Sequence, residues 1–190
     1  VLQTADIIIY KADTVPVGRD QVPHVELSRE IVRRFNSEFG EIFPEPEALL
    51  SKSPSIVGID GQNKMSKSLD NHIELAATPE ETIKRVKDMV TDPQRARRTV
   101  PGRPWVCNVY SMHQLFSSES VQSEVHEACI NASIGCVQDK DLLAKSINDT
   151  LEPFRERRRQ LEKTPDIVDE ALREGNKKAK EIAIATMEEV

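Results

Sequence analysis

The stretch "GIDGQNKMSKSLDN", residues 58–71, decides how the rest of the chain is read. Lys64 and Lys67 flank Met65 and Ser66, Ser68 follows, and Gly58 and Gly61 lie just upstream. A solvated surface turn would account for the polar residues. A clamp on a polyphosphate would account for them too, and gives each residue type a task. Lysines are compact point charges suited to phosphate. Seryl hydroxyls donate hydrogen bonds to phosphate oxygens. Glycines let a loop close over a ligand and reopen. The surroundings decide between the two readings.

Composition narrows the field. The 190 residues are enough for one good core or two small ones. No apolar run approaches the roughly 20 residues of a membrane span, and no basic start leads into a long apolar stretch. No membrane partner is therefore expected. Three cysteines are an odd number, so a disulfide framework is not expected and a reducing compartment, the cytoplasm, is the default. A net charge of −6 argues against a purely electrostatic nucleic-acid binder but allows local basic patches. The opening "VLQTADIIIY" is apolar and lacks methionine, and reads as a chain entered partway through a fold.

Residues 1–10 are open between strand ("IIIY") and helix ("LQTAD"); in the helix, Gln3, Asp6 and Tyr10 share a face. Residues 14–18 predict a short strand and 20–39 a helix with Pro23 in its first turn. "GEIFPEPEALL" (40–50) predicts a Pro-broken loop, and 55–59 a second strand. "TPEE" (78–81) is a capping box that opens a helix. The basic connector "TDPQRARRTVPGRP" (91–104) follows, then helices at about 107–116, 119–131, 139–162 and 165–188, the last opened by Thr164 and Pro165. The fold class is α/β plus all-α, divided at 1–75 and 76–190. Two short strands cannot close a sheet, which also points to a chain that is part of something larger.

"KMSKS" (64–68) stands here unmodified and is similar to the second signature of class I aminoacyl-tRNA synthetases. The stretch from Val1 to Asn36, with its "VPVGRDQ" loop at 15–21, and the continuation "DGQNKMSKSLDN…TPEE…TDPQRAR…PG" resemble the tryptophanyl-tRNA synthetase family over almost the whole chain. The tyrosyl family is the nearest alternative, and a non-catalytic, synthetase-derived RNA-binding module is the other. The resemblance implies the second half of a Rossmann-type catalytic domain, including the "KMSKS" loop, followed by a helical anticodon-binding domain. It implies ATP-dependent activation of tryptophan and transfer to tRNA(Trp) by the complete protein, a cytoplasmic homodimer with Mg²⁺ accompanying ATP, while this chain alone is expected to be inactive. The "HIGH"-like first signature is absent, and His24, His72, His113 and His126 are isolated. They read as surface or helix-packing residues, and no metal-ligand spacing argues otherwise.

By the same resemblance, Lys64, Ser66, Lys67 and Ser68 act in catalysis, and with Met65 they hold ATP; the residue type suggests Met65 as a packing anchor. Asp6 accepts the indole N–H of tryptophan, the only polar group on that side chain; a plain helix-surface acid is its other reading. Gln3, Val15 and Val17 line the same pocket, and Gly18, Asp20 and Gln21 meet the adenylate and the ammonium group. Arg19 stands where the family more often has glutamate. Cys107, Cys129 and Cys136 match three of the four cysteines that hold a [4Fe–4S] cluster in some bacterial members. Asp139 occupies the fourth position, so the cluster is not expected and the cysteines read as small apolar residues. Arg95, Arg97, Arg98, Arg155 and Arg158 are candidate tRNA contacts, against the reading of a solvated face with glutamate partners.

Overall fold

In the computed structural model, which describes residues 1–50 and 55–190, the opening residues resolve as a helix, α1 (Leu2–Ile8). Thr4 and Ile7 turn inward, and Gln3, Asp6 and Tyr10 remain exposed, as one shared helical face requires. The buried hydroxyls of Thr4 and Ser28 lie 3.0 Å apart and join α1 to α2 (Val22–Phe39). Between them runs β1 (Thr14–Val17), followed by a single 3-10 turn at Arg19–Gln21. Pro23 sits in the first turn of α2, where a missing N–H removes no helical bond. Val25 and Val32, two turns apart, are fully buried.

The segment expected as a Pro-broken loop contains a strand. β2 (Glu47–Leu50) pairs parallel with β1, from Thr14↔Glu47 to Val17↔Leu50, and α2 supplies the crossover that a parallel pair needs. "EALL" has helical propensity, which tertiary pairing overrides here. The prolines help: each disfavours the helical region for the residue before it, and Glu47 N–H donates to Asp13 O at 2.8 Å. Asn36 holds the turn that precedes β2, donating to Phe43 O and accepting from the N–H groups of Ile42 and Phe43. α7 (Pro165–Glu189), with Thr164 at its N-cap, belongs to the same compact unit, and Lys11 pairs with Glu189.

That unit comprises Val1–Ser55 and Lys163–Val190; the other is Ile56–Glu162. The sequence division at 75 therefore falls elsewhere from the compact one. The reason lies in residues 58–71, which are bonded into the helical unit. Ile59 enters its core, Val90 N–H donates to Ile59 O (3.0 Å), and buried Asn108 donates through Nδ2 to Gly58 O (2.7 Å). The strand expected at 55–59 does not form. Val57 instead bridges antiparallel to Lys64, so the segment pairs with its own loop.

The helices of the second unit are α3 (Pro79–Asp88), α4 (Asn108–Phe116), α5 (Glu119–Ile130) and α6 (Cys136–Glu162). The capping box at α3 forms in both directions, with Thr78 Oγ1 accepting from Glu81 N–H and Glu81 Oε2 accepting from Thr78 N–H. α6 begins three residues before the expected 139. It is the spine: Leu143, Ile147 and Leu151 pack with Val86 of α3 and Val109 and Met112 of α4. In the connector, Arg103 forks onto buried Asp92, Nε to Oδ2 at 2.9 Å and Nη2 to Oδ1 at 2.6 Å.

Two stability predictions follow from this packing. Leu143 is fully buried, so Leu143→Ala should lower unfolding free energy by about 3 kcal/mol in urea titration, from lost burial and a residual cavity. Arg103 beside Asp92 holds that carboxyl down to about 2. A depressed carboxylate pKa stabilises the fold above the ordinary value near ~4, and that stability is lost as pH falls through about 2. Arg103→Met should therefore lower the urea midpoint at pH 7, with the gap to the parent closing as the pH falls through that window.

Candidate functional site: a lysine-bearing loop

The loop begins as a tight turn. Gly61 N–H donates to Gly58 O (3.0 Å), Gly58 N–H to Asn63 O (2.8 Å), and Met65 N–H to Ile56 O (2.8 Å). Gly61 has φ +69°, a conformation that needs glycine. Gly58 serves differently from the flexible hinge that the sequence suggests. A Cβ on it would lie 2.2 Å from Asn71 Nδ2, so its missing side chain makes room for Asn71. Asp60 accepts from the N–H groups of Gln62 and Asn63 and from the amides of Asn63 and Asn71. The Asn63 amide, then the Asn71 amide and the Gln62 N–H, hold its carboxyl well below the usual range.

Met65 is half-buried and packs against the core cluster, which pins the middle of "KMSKS". Lys64 and Lys67 on either side are exposed. The Ser66 and Ser68 hydroxyls lie 2.8 Å apart, across the start of a 3-10 turn at Lys67–Leu69. That turn ends at Asp70, in the left-handed region (φ 49°), where Arg85 of α3 binds both its carbonyl and its carboxylate. Arg85, its strongest partner, lowers the pKa of Asp70. The result is a loop anchored at both ends and at its centre, with two ammonium groups directed away from the core. Such an arrangement can meet a polyphosphate without further folding.

The other candidate residues lie in the first unit. Gln3 and Asp6 are on the exposed face of α1. Val15 and Val17 are half-buried and alternate with exposed Thr14 and Pro16, so they share one face of β1. Gly18, Asp20 and Gln21 form the turn from β1 into α2, with Gln21 Nε2 donating to Asp20 Oδ2 at 3.2 Å.

Of the five candidate tRNA-contacting arginines, two turn inward. Arg155 is buried and donates to Asn148 Oδ1 and to buried Thr82 Oγ1, both at 2.9 Å. Arg95 is half-buried and donates to the carbonyls of Arg98, Val100 and Ile134. Arg155 therefore does not face RNA as expected, and most of Arg95's donors are taken up within its own turn region. Arg97, Arg98 and Arg158 are exposed, Arg158 pairing with Glu162. Arg158 also lines a groove of about 420 Å³ with exposed Phe154.

The cysteine region does not suit a four-iron cluster. Arg95 Nη1 lies 3.6 Å from Cys129 Sγ and 3.8 Å from Cys136 Sγ, a cation placed against two would-be ligands. Asp139 is buried and engaged by His113 Nε2 at 3.0 Å, and Ser117 Oγ lies 2.7 Å from the other ring nitrogen. Burial raises the thiol pKa of both Cys107 and Cys129.

Sequence reasoning missed Asn71, Asp60 and Arg85. Their signal was faint: an asparagine directly after Asp70, and an aspartate between two glycines.

Comparison with known proteins identifies the family of the chain. A family model described as "tRNA synthetases class I (W and Y)" matches residues 1–152. The chain is 52% identical over 191 residues to the tryptophan–tRNA ligase of Aquifex aeolicus and 51% identical to that of Thermotoga maritima. Both alignments take in 100% of this chain, but only 48% and 58% of those proteins, so the chain spans about half the length of the relatives it matches. The crystal structure of tryptophanyl-tRNA synthetase from Campylobacter jejuni complexed with ADP and tryptophan superposes with a TM-score of 0.82 at 34% identity, over 98% of this chain and 58% of that one. With the family model spanning four-fifths of its residues, the chain belongs to the class I tRNA synthetases of the tryptophan and tyrosine type.

Proposed function

We propose that the protein carries out ATP-dependent activation of tryptophan and transfer of the tryptophanyl group to tRNA(Trp). The observation that carries this reading is the 64–68 loop, anchored on both sides and presenting Lys64 and Lys67 outward. In activation, the amino-acid carboxylate attacks the α-phosphate of ATP in line and pyrophosphate leaves. Charge grows on the leaving group, where positioned cations stabilise it most. Lys64 and Lys67 supply those cations, and Ser66 and Ser68 donate to phosphate oxygens. Met65 keeps the loop backbone on the core. Magnesium enters with ATP as part of the substrate; Asp60, saturated by four donors, is not among its ligands.

Gly18 allows close approach of the adenylate, and Asp20 and Gln21 meet its ribose and the substrate ammonium. Val15 and Val17 wall the indole, with Gln3 beside Asp6, and Asp6 accepts the indole N–H. A site that leaves a carboxylate unpaired when phenylalanine enters discriminates strongly against it. tRNA meets exposed Arg97, Arg98 and Arg158. The working form is a homodimer in the cytoplasm; among the described residues, no helix is long and apolar enough to cross a membrane.

Two experiments on the complete protein test this. Lys64→Ala or Lys67→Ala should slow tryptophan-dependent ATP–pyrophosphate exchange by roughly 100-fold, on the order of 3 kcal/mol, with tryptophan affinity nearly unchanged. Weakened tryptophan binding at an unchanged rate would remove the lysines from this role. Asp6→Ala should erase much of the preference for tryptophan over phenylalanine when kcat/KM is measured for tryptophan, tyrosine and phenylalanine. A parent that prefers tyrosine would overturn the substrate assignment. An Asp6→Ala variant as selective as the parent would return Asp6 to an ordinary surface acid.

A further inference from the structure

Asn71 is a polar residue only 3% exposed, and both carboxamide atoms and its carbonyl are engaged at the lysine loop. Its Oδ1 accepts the Ser66 N–H at 2.7 Å. Its Nδ2 donates to Asp60 Oδ2 at 2.9 Å and to the Lys64 carbonyl at 3.3 Å. Its own carbonyl accepts the Ile59 N–H at 2.8 Å. Two of these bonds fall on residues 64 and 66, on either side of Met65. They fix the backbone from which both lysines depart. The carboxamide is the one group that fits this site, because it offers an acceptor to Ser66 and a donor to two oxygens at once.

We propose that Asn71 is the positioning residue of the lysine clamp, acting through the Lys64 carbonyl and the Ser66 amide without touching substrate. This rests on the adenylate-forming reading above. Asp60 anchors the carboxamide, itself fixed by the Gln62 and Asn63 N–H groups and the Asn63 amide. Gly58 completes the arrangement by leaving the space that the carboxamide fills. The clamp can therefore be perturbed from three sides. Asn71→Asp keeps the shape but sets a carboxylate against Asp60 and the Lys64 carbonyl. Gly58→Ala leaves Asn71 chemically intact and displaces it. Asp60→Asn withdraws an acceptor and sets an amide donor against the amides of Asn63 and Asn71.

The test is tryptophan-dependent ATP–pyrophosphate exchange in the complete protein, with thermal melts monitored by circular dichroism. Asn71→Asp and Gly58→Ala should each lower kcat on the order of 100-fold, the scale of a misplaced catalytic group, with KM for tryptophan unchanged. Asp60→Asn should lower kcat in the same way, by at least about tenfold. A residue that merely stabilises the fold would lower the melting temperature and the active fraction, and would leave the rate per folded molecule at the parental value. An Asn71→Asp rate within about threefold of the parent overturns the proposal. Should Asn71→Asp fail to fold, Gly58→Ala decides: near-parental melting with a lost rate supports the role, and a normal rate there overturns it. A parent without tryptophan-dependent exchange overturns the functional reading, and the role of Asn71 falls with it. An active parent with an unaffected Asn71→Asp variant overturns the role of Asn71 alone.

Discussion

The absence of one methyl-sized group, the Cβ that residue 58 lacks, is the constraint on which the lysine loop depends. Into that space fits the Asn71 carboxamide, which no larger residue at 58 would admit. From there the bonds run outward: Asp60 on one side, the backbone of Lys64 and Ser66 on the other, Ile59 below. Ile59 then enters the helical core, and Asn108 of α4 takes the Gly58 carbonyl. A tight loop exposes many backbone donors and acceptors that no regular ladder satisfies. Here buried side-chain amides and one carboxylate satisfy them. Function sits on loops because a rigid scaffold can hold them in place, and in this chain the scaffold reaches the lysines through polar bonds as much as through apolar packing.

The same need for partners explains why arginine counts mislead. A run such as "QRARR" suggests a basic surface. Yet a guanidinium carries five donors in a planar fork, and Arg95 spends its donors on three carbonyls of nearby turns. Arg155 donates to the side chains of Asn148 and Thr82, tying α6 to α3, and Arg103 donates to the Asp92 carboxylate in the connector. What remains outward is Arg97, Arg98, Arg158 and their neighbours, partly paired with glutamates. Exposed pairs of that kind are worth about 0–1 kcal/mol each. A phosphate can therefore replace the glutamate at little cost, whereas it could not draw Arg155 from buried Thr82.

Local signals in the sequence were read well where local physics decides. The capping box at Thr78, Pro23 in the first turn of α2 and the helical periodicities all produce the elements expected of them. Met65 was legible as a packing anchor because an apolar residue between two lysines has one sensible place to go. β2 was not legible, because "EALL" is indifferent to strand pairing until β1 lies beside it. Neither was the role of Gly58. A glycine beside a loop reads as freedom, and only the position of Asn71, thirteen residues away, shows that it serves close approach instead. The inward arginines escaped for the same reason: Arg95 binds backbone carbonyls, which every sequence has everywhere, and Arg155 reaches Thr82, seventy-three residues away.

The cysteine region applies this logic to a set of residues whose spacing suggests metal. Four thiolates around iron would each be anionic and would need no other partner. Here Asp139 occupies the fourth position, and a buried carboxylate requires hydrogen bonds of its own. His113 meets it from α4, while Arg95 lies against the Cys129 and Cys136 sulfurs. Burial favours the neutral thiol at Cys107 and Cys129, and neutral thiols pack as small apolar groups. One substitution at the fourth position thus changes what every neighbour must do. The aspartate brings a histidine to heel, the thiols become packing groups, and Arg95 closes the turn against Ile134. Hydrogen bonds among α4, the connector and the start of α6 then hold the region that a metal would otherwise organise.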